Sequence, residues 1–191
     1  MTERAEHSAK QVQERTRRLV LTGVFAALGC AATMALQIPS PTGGYLNLGD
    51  TVVLLGAYLL GPAAGAVAGG IGPALADLLS GYAVYVPGTL VIKAAMGFTA
   101  AVSYRRLGRR AAGVAACAVL AEALMVAGYW IFDGALAFAG GGGTWGTCLT
   151  ASAAGVPGNL AQAVFGAAAS TLLMLSLRQS RYIQERFPRL R

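Results

Sequence analysis

A few polar side chains interrupt otherwise apolar stretches of this 191-residue chain: Lys93, Glu122, Asn159 and Gln162. A buried charge or amide needs a partner, because leaving water without one costs free energy. In apolar segments such groups normally mark a binding site, a pathway or an internal ion pair. Asn159 and Gln162, at i and i+3, share one helix face, and paired amides suit a planar heterocycle. We therefore expect these residues to bind a small molecule or to pair with one another.

Internal pairing is the alternative to ligand binding for the charged residues. Lys93 is expected to form a structural ion pair with Asp77 or Glu122 if it does not contact a ligand, since pairing would neutralise both charges. Asp50 opens an apolar segment. We expect it to cap a helix rather than to touch a ligand, because Asp is a good N-cap and favours the positive end of the helix dipole.

The polar groups are unevenly distributed along the predicted helices. Offsets of 0, 7 and 11 place Glu122, Tyr129 and Asp133 along one stripe of the fifth helix. Apart from Glu122, which is deeper, the polar side chains of these helices are expected near one end of the bundle. Six aromatic residues are expected at the same end: Tyr45, Tyr82, Tyr85, Tyr129, Trp130 and Trp145. The aromatic residues suit either an interfacial belt or a substrate-facing role. The asymmetry predicts a polar, aromatic-lined cavity open to the outside and closed below, rather than a continuous pore.

The composition indicates that the elements positioning these residues are membrane helices. Hydrophobic residues make up 55% of the chain and charged residues 12%, about half the charge of a soluble domain. Fourteen of the fifteen Lys and Arg residues fall in three clusters, over 4–18, 105–110 and 178–191. The segments between them approach the ~20 apolar residues that cross a bilayer. Positive charge flanking such segments reports topology rather than nucleic-acid binding.

The clusters predict an all-α bundle of six transmembrane helices with both termini cytoplasmic. Basic loops stay in the cytoplasm, so an even number of spans must precede the cluster at 105–110. The spans are expected at about 19–36, two within 51–79 divided at Gly61-Pro62, then 87–104, 111–132 and 152–177. The chain thus reads as a basic tail (1–18), a membrane domain (19–177) and a second basic tail (178–191), both tails cytoplasmic. His7, the only histidine, lies in the first tail, and the cysteines Cys30, Cys117 and Cys148 have no metal-site spacing. We expect no metal site and no cofactor.

Small residues recur at i, i+4 spacing on several of these helices. In lipid, small side chains let helix backbones approach closely, and this contact supplies packing energy. We expect internal packing for Gly61, Gly65 and Gly69 on the third span and for Gly158 and Gly166 on the sixth. For the face of the first span, which carries Gly23, Ala27, Ala31 and Ala35, internal packing and contact with a partner membrane protein are equally consistent.

One ordered set of motifs resembles a known family. Asn47-Leu48-Gly49-Asp50 is followed by Gly61-Pro62, Ala76-Asp77-Leu78-Leu79, Gly81-Tyr82, Pro87 and Ile92-Lys93. This set is similar to the substrate-binding S components of energy-coupling-factor (ECF) vitamin transporters, in the branch with riboflavin-, hydroxymethylpyrimidine- and pyridoxine-type members. The resemblance implies a multi-pass cell-membrane protein that captures a vitamin or precursor from outside. It also implies partners: a transmembrane T component and two cytoplasmic ATPases.

The resemblance also implies which residues do this. Alanines Ala27 and Ala31 match the AxxxA contact of the family with the T component. By position, the ligand site would consist of Tyr45, Asn47, Lys93, Glu122, Tyr129, Asn159 and Gln162. The chain lacks a GxxxxGK[ST] loop, so it is not expected to be an enzyme that hydrolyses ATP itself.

Three other functions are consistent with some of these features. A stand-alone facilitator or channel is the main alternative, although the apolar inner half disfavours it. An intramembrane aspartyl protease would need Asp50 and Asp77 close together to share a proton. A purely structural assembly protein would not need a buried Lys93 or Glu122, unless they form a salt-bridged core.

Overall fold

The computed structural model describes residues 2–108 and 110–187, with side chains from residue 7 onward. This part of the chain forms eight α-helices and one short hairpin, and the expectation of an all-α fold is confirmed. The helices are α1 (Thr2–Ala35), α2 (Gly49–Leu60), α3 (Pro62–Leu79), α4 (Val86–Leu107), α5 (Ala111–Ala139), α6 (Trp145–Ser152), α7 (Val156–Leu177) and α8 (Arg181–Arg186). The antiparallel hairpin pairs β1 (Ile38–Pro39) with β2 (Tyr45–Leu46), and 3-10 turns at Ala83–Tyr85 and Ala153–Gly155 precede α4 and α7.

Most of the helical chain is long and apolar enough to cross a bilayer. Five stretches of the described residues meet this criterion: His7–Ala35, Pro62–Leu79, Ala83–Leu107, Ala111–Ala139 and Trp145–Leu177. The α2 helix is apolar but has only 12 residues, fewer than the ~20 of a complete span. The chain is therefore a multi-pass α-helical membrane protein whose second apolar helix is shorter than a complete span.

The division between α2 and α3 falls where the sequence places it. Gly61 has φ of 85°, a left-handed conformation that glycine adopts without steric cost. Pro62 then occupies the first turn of α3, where its missing N–H breaks no helical hydrogen bond. By contrast, α1 continues without a break from the basic tail into the first apolar segment.

Glycines bring the backbones of α2, α3 and α4 into close contact. A Cβ on Gly97 of α4 would lie 2.6 Å from the carbonyl oxygen of Gly65, and a Cβ on Gly65 would lie 2.7 Å from Cα of Ala57 in α2. A Cβ on Gly69 would lie 3.1 Å from the Lys93 carbonyl oxygen. Such approach is how helices associate in lipid. These contacts support internal packing for the α3 glycines.

The small face of α1 is directed away from the bundle. Its members, Gly23, Ala27, Ala31 and Ala35, are all exposed. The helix packs on α2 and α3 through its other side, where Phe25 lies against Gly56 and Gly29 against Pro73. Internal packing within this chain therefore does not account for the alanine face.

The three basic clusters meet at one end of the bundle, which we call the arginine end. Arg18 donates to the carbonyl oxygen of Leu60 at 3.2 Å, where α2 finishes. The Arg178 guanidinium donates to the Gly108 carbonyl oxygen and lies 5.3 Å from the Tyr104 ring centroid. The opposite end, which carries the hairpin, is called the hairpin end.

Large side chains fill the bundle between the two ends. Tyr58, Met96, Met125 and Met174 are completely buried, and the ring of Tyr58 stacks on that of Tyr104 at 4.7 Å. The sequence predicts an interior of small apolar residues there. Small residues are indeed buried in this core, among them Ala57, Ala100, Ala118 and Ala121, and the methionines and tyrosines pack in the same cluster.

Candidate functional site

A polar cavity lies at the hairpin end, below β1 and β2 and between the ends of α1, α3, α4, α5 and α7. Its volume is about 30 Å³, far below the ~300–1,000 Å³ of typical small-molecule pockets. The hairpin thus closes tightly over the cavity. The lining residues are Thr33, Ser40, Thr42, Gly44, Tyr45, Asn47, Pro73, Asp77, Tyr85, Thr89, Tyr129, Asp133, Asn159 and Gln162.

The hairpin is fastened over the cavity by two tyrosine hydroxyls. Tyr45 on β2 donates to Oδ1 of Asp77 at 2.6 Å, and its ring lies 4.6 Å from that of Tyr82. Tyr85 donates to the Thr42 carbonyl oxygen at 2.9 Å. Burial, together with the hydrogen bond to Asp77, raises the pKa of Tyr45 well above its usual range. The Tyr45 hydroxyl therefore remains a donor at physiological pH.

Tight turns shape the hairpin and the entry into α2. Ser40 N donates to the Gly44 carbonyl at 2.8 Å, and Gly43 has φ of 96°, which favours glycine. After β2, the Asn47 side chain accepts a hydrogen bond from Gly49 N at 2.9 Å. This local bond is typical of Asn in turns. Short-range hydrogen bonds thus hold the hairpin in one conformation.

A buried ion pair lies beneath the cavity. Lys93 of α4 pairs with Asp50 of α2, and 1% of each side chain is exposed. The prediction that Lys93 pairs with Asp77 or Glu122 is wrong, because the start of α2 packs nearest its ammonium group. The expectation that Asp50 caps its helix is also wrong. Leu48 is the N-cap residue and no side chain caps α2, since the carboxylate of Asp50 is turned inward to the ammonium.

Gln162 connects this ion pair to the hairpin. Its Nε2 donates to Oδ2 of Asp50 at 2.6 Å, and its Oε1 accepts from Asn47 N at 2.7 Å. Both functions of the amide are thus used. A continuous chain of polar contacts runs from α4 through α2 and α7 to the segment that follows β2.

Tyr129 separates the ion pair from the cavity. The Lys93 ammonium lies 5.5 Å from the centroid of the Tyr129 ring, within the range of a cation–π interaction. The hydroxyl of Tyr129 lies 2.9 Å from that of Thr89. The ring therefore has one face toward Lys93 and its polar tip within the cavity lining.

Glu122 lies deeper than the cavity and is 2% exposed. Neither of its carboxyl oxygens receives a hydrogen bond from the residues that the structure describes. Its carboxyl group is close to Asp50, and both pack against Gly166 of α7. The absence of a side chain at Gly166 provides the space that the two carboxyl groups occupy.

The structure brings together five of the seven residues predicted to bind the ligand. Tyr45, Asn47, Tyr129, Asn159 and Gln162 all line the cavity. Lys93 and Glu122 lie below it, in contact with its floor through Tyr129 and Asp50. Of the aromatic residues, Tyr85 also lines the cavity, whereas Trp130 and Trp145 are exposed.

Several lining residues were absent from the predicted site. Asp77 and Asp133 stood out in the sequence as ionisable groups near the ends of apolar segments, a signal that normally marks functional positions. Thr33, Thr42 and Thr89 carry no such signal, because threonine is common in helices and loops. Only the packing of the hairpin against five helix ends assigns the threonines to the cavity.

The arrangement offers binding groups rather than a reaction centre. Asp50 and Asp77, the pair that a protease would need, are engaged by different groups, Lys93 and Tyr45. No cluster of metal-ligating side chains occurs among residues 2–108 and 110–187. The cysteines Cys30, Cys117 and Cys148 are unpaired in the same part of the chain.

The match to a family model decides the identity of the chain. The family described as "ECF-type riboflavin transporter, S component" matches residues 13–179, which include all of the apolar helices. The chain belongs to this family. It is a membrane-embedded S component of an ECF-type transporter, and this family is one of transport subunits rather than enzymes.

A curated relative of this S component matches over a shorter stretch. An "uncharacterized protein in gap 3'region" from Pyrococcus woesei is 50% identical over 66 residues, which are 34% of this chain and 44% of the relative. The chain therefore spans less than half the length of that relative. This similarity adds no functional information.

Proposed function

We propose that this S component captures a vitamin or vitamin precursor from outside the cell and holds it beneath the hairpin, for uptake driven by ATP. The observation that carries the proposal is the closed cavity at the hairpin end. Tyrosines, amides and carboxyl groups from five elements converge there, as in a small-molecule site. Membership of a riboflavin transporter family supports a ring compound as the ligand.

The proposed site contacts the ligand through Tyr45, Asn47, Tyr129, Asn159 and Gln162. Lys93 and Glu122 act from below, by setting the charge and position of the floor. Tyrosine rings offer stacking surfaces for a heterocycle, and the amides offer donors and acceptors to its edge. This division follows from which side chains line the cavity and which lie beneath it.

Ligand entry requires the hairpin to move. A cavity of about 30 Å³ has room for one or two water molecules and none for a vitamin. The hairpin is joined to the bundle by a few hydrogen bonds, including that from Tyr45 to Asp77, and its strands have only two residues each. Breaking these contacts exposes the cavity, and forming them again encloses the ligand.

We also propose the topology and the partners that uptake requires. Six crossings, with the short α2 as the second, place the arginine end and both termini in the cytoplasm, in agreement with the positive-inside rule. The tails 1–18 and 178–191 then flank a membrane domain over 19–177. Among the described residues, the packing between the two ends is filled and offers no path through the bundle. Inward release therefore depends on a T component and two ATPases.

The test is to identify the ligand and its dependence on ATPase partners. The protein is purified in detergent, and any small molecule that co-purifies is identified by mass spectrometry. Uptake of that molecule is then measured in cells that express the chain with and without an ECF T component and its ATPases. We expect tight binding by the isolated chain and uptake only with all components.

Two outcomes contradict the proposal. Uptake by the chain alone, in cells that lack every ECF ATPase, would identify a facilitator. Failure to bind any vitamin of a broad thermal-shift panel, in protein shown to be folded, would remove the capture function.

A further inference from the structure

The cavity carries two acidic groups whose oxygens are not fully used. Asp77 is 4% exposed and Asp133 is 7% exposed, and both line the cavity. Oδ2 of Asp77 and Oδ1 of Asp133 receive no hydrogen bond from the described residues. The hydroxyls of Thr42 and Tyr85 lie near the Asp133 carboxyl group, and that of Thr89 lies near Asp77. Tyr85 donates its proton to a carbonyl oxygen, and neither threonine forms a hydrogen bond with the two oxygens named above. Buried polar atoms normally have partners, so these two oxygens are open to a donor.

Among the described residues, no basic side chain lines the cavity beside these acids. Lys93 is the only Lys or Arg between residues 19 and 104 or between 111 and 177. The Lys93 ammonium forms an ion pair with Asp50 and lies beneath the Tyr129 ring, outside the cavity lining. The other fourteen cationic residues occur in the three clusters at 4–18, 105–110 and 178–191, and the described contacts of these clusters lie at the arginine end. The lining therefore has two carboxyl groups and no basic side chain.

A row of four aromatic rings, Tyr45, Tyr82, Tyr85 and Phe132, forms a wall at the hairpin end, and two of them, Tyr45 and Tyr85, line the cavity with these carboxyl groups. The Tyr45 and Tyr82 centroids are 4.6 Å apart, those of Tyr82 and Tyr85 6.4 Å, and those of Tyr85 and Phe132 5.8 Å. The faces of such rings carry partial negative charge and attract cations, which is how aromatic cages recognise quaternary ammonium ligands. Carboxyl groups and tyrosine ring faces thus both favour a positively charged ligand.

We propose that the pocket of this S component selects a cationic ring compound, whose positive charge is held between Asp77 and Asp133 and against the tyrosine wall. The inference rests on the proposed function and specifies its ligand class. A cation would supply the donors that the two free oxygens lack. An anion, such as a phosphate ester, would meet two acidic side chains and no basic side chain in the described cavity lining, which disfavours it in a site of low dielectric.

The experiment compares ligands that share a ring and differ in charge. For the purified wild-type protein, the charge of any co-purifying molecule is determined by mass spectrometry. Binding is then measured by calorimetry for thiamine, for the series pyridoxamine, pyridoxine and pyridoxine 5′-phosphate, and for riboflavin against riboflavin 5′-phosphate. We expect the tightest ligand to be a cation, with a neutral analogue at least tenfold weaker and a phosphate ester at least a hundredfold weaker.

Variants test whether Asp77 and Asp133 supply the selectivity. Asp77→Asn and Asp133→Asn keep the side-chain size and remove the charge. Each is expected to weaken the cation at least tenfold and to reduce the preference for a cation over its neutral analogue, a change that simple loss of structure would not produce. Glu185→Gln, an exposed acid at the arginine end, is the matched control and should leave binding unchanged. If neither variant folds, the affinities of the wild-type protein for the cationic, neutral and phosphorylated ligands decide whether the pocket selects a cation.

The failures of the two proposals are distinguishable. A neutral or anionic vitamin bound most tightly, or a cation preference unchanged in both variants, would overturn the cationic-ligand inference and leave vitamin capture intact. Absence of binding to every compound, together with no co-purifying molecule, would overturn the capture function and this inference with it.

Discussion

The Lys93 ammonium and the Asp50 carboxylate form an ion pair between α4 and α2, with 1% of each side chain exposed. Asp50 also accepts the Gln162 amide, which in turn holds the backbone of Asn47. Lys93, one of the seven residues predicted to contact the ligand, is thus half of a structural pair. Its role is to fix the floor of the cavity and to connect that floor to the hairpin.

Removing one member of this pair should destabilise the protein more than removing both charges. Lys93→Met leaves the buried Asp50 carboxylate without its cation, and Asp50→Asn leaves the buried Lys93 ammonium without its anion. Breaking a buried ion pair in this way typically lowers the free energy of unfolding by about 3–5 kcal/mol. The double variant should lose clearly less than the sum of the two. Reversible denaturant unfolding in mixed micelles would measure this coupling. Additive losses would show that the two side chains act independently.

The absence of a side chain at Gly166 should be essential to the floor. A Cβ there would collide with the carboxyl group of Glu122 and lie 3.0 Å from Cβ of Asp50. We expect Gly166→Ala to lower the free energy of unfolding by about 1–3 kcal/mol, as overpacking does, and to weaken ligand binding.

Gly23→Ala on α1 provides the matched control for Gly166→Ala. No described atom lies within 4 Å of a Cβ at Gly23, and alanine is favoured over glycine in helices. This variant should be neutral or stabilising in the isolated protein. Equal effects of the two substitutions in thermal unfolding would contradict the proposed packing.

The Tyr45 hydroxyl should control how long the ligand stays enclosed. Tyr45→Phe keeps the ring contact with Tyr82 and removes the hydrogen bond to Asp77, a type of bond worth about 1.5–3 kcal/mol when one partner is charged. We expect ligand dissociation to be at least tenfold faster in stopped-flow measurements. Tyr182→Phe, an exposed position at the arginine end, should not change the rate. An unaltered rate in Tyr45→Phe would mean that the hairpin is held by other contacts.

The exposed alanine face of α1 should serve assembly and not ligand binding. Ala27 and Ala31 lie on a helix face that no other helix of this chain covers among the described residues. Ala27→Leu with Ala31→Leu should therefore leave ligand affinity unchanged and abolish co-purification with the T component, because bulk prevents close helix contact.

Ala116→Leu tests whether any added bulk on the surface has the effect expected at Ala27 and Ala31. Ala116 is an exposed position on α5, and its substitution should preserve the complex. Retention of the T component by the α1 double variant would place the interface elsewhere.

Amino-acid order alone determined the all-α membrane architecture, the division at Gly61-Pro62 and the family. These properties follow from local features, since charge clusters, apolar lengths and a glycine–proline break act within a few residues. Helical periodicity alone also predicts that Glu122, Tyr129 and Asp133 share one face of α5, and the structure adds that Tyr129 and Asp133 line the cavity while Glu122 is buried below it.

Only the tertiary structure decided which polar groups pair and which remain available. The apolar segments of the sequence offer Lys93 three acidic partners, Asp50, Asp77 and Glu122. Helical periodicity does not show which of the three lies nearest to its ammonium group. The choice depends on how closely the glycines let α2, α3 and α4 approach and on where the hairpin folds back. Those contacts join residues that are far apart in the chain, so local sequence patterns do not predict them. They pair Lys93 with Asp50 and place Asp77 and Asp133 in the cavity lining.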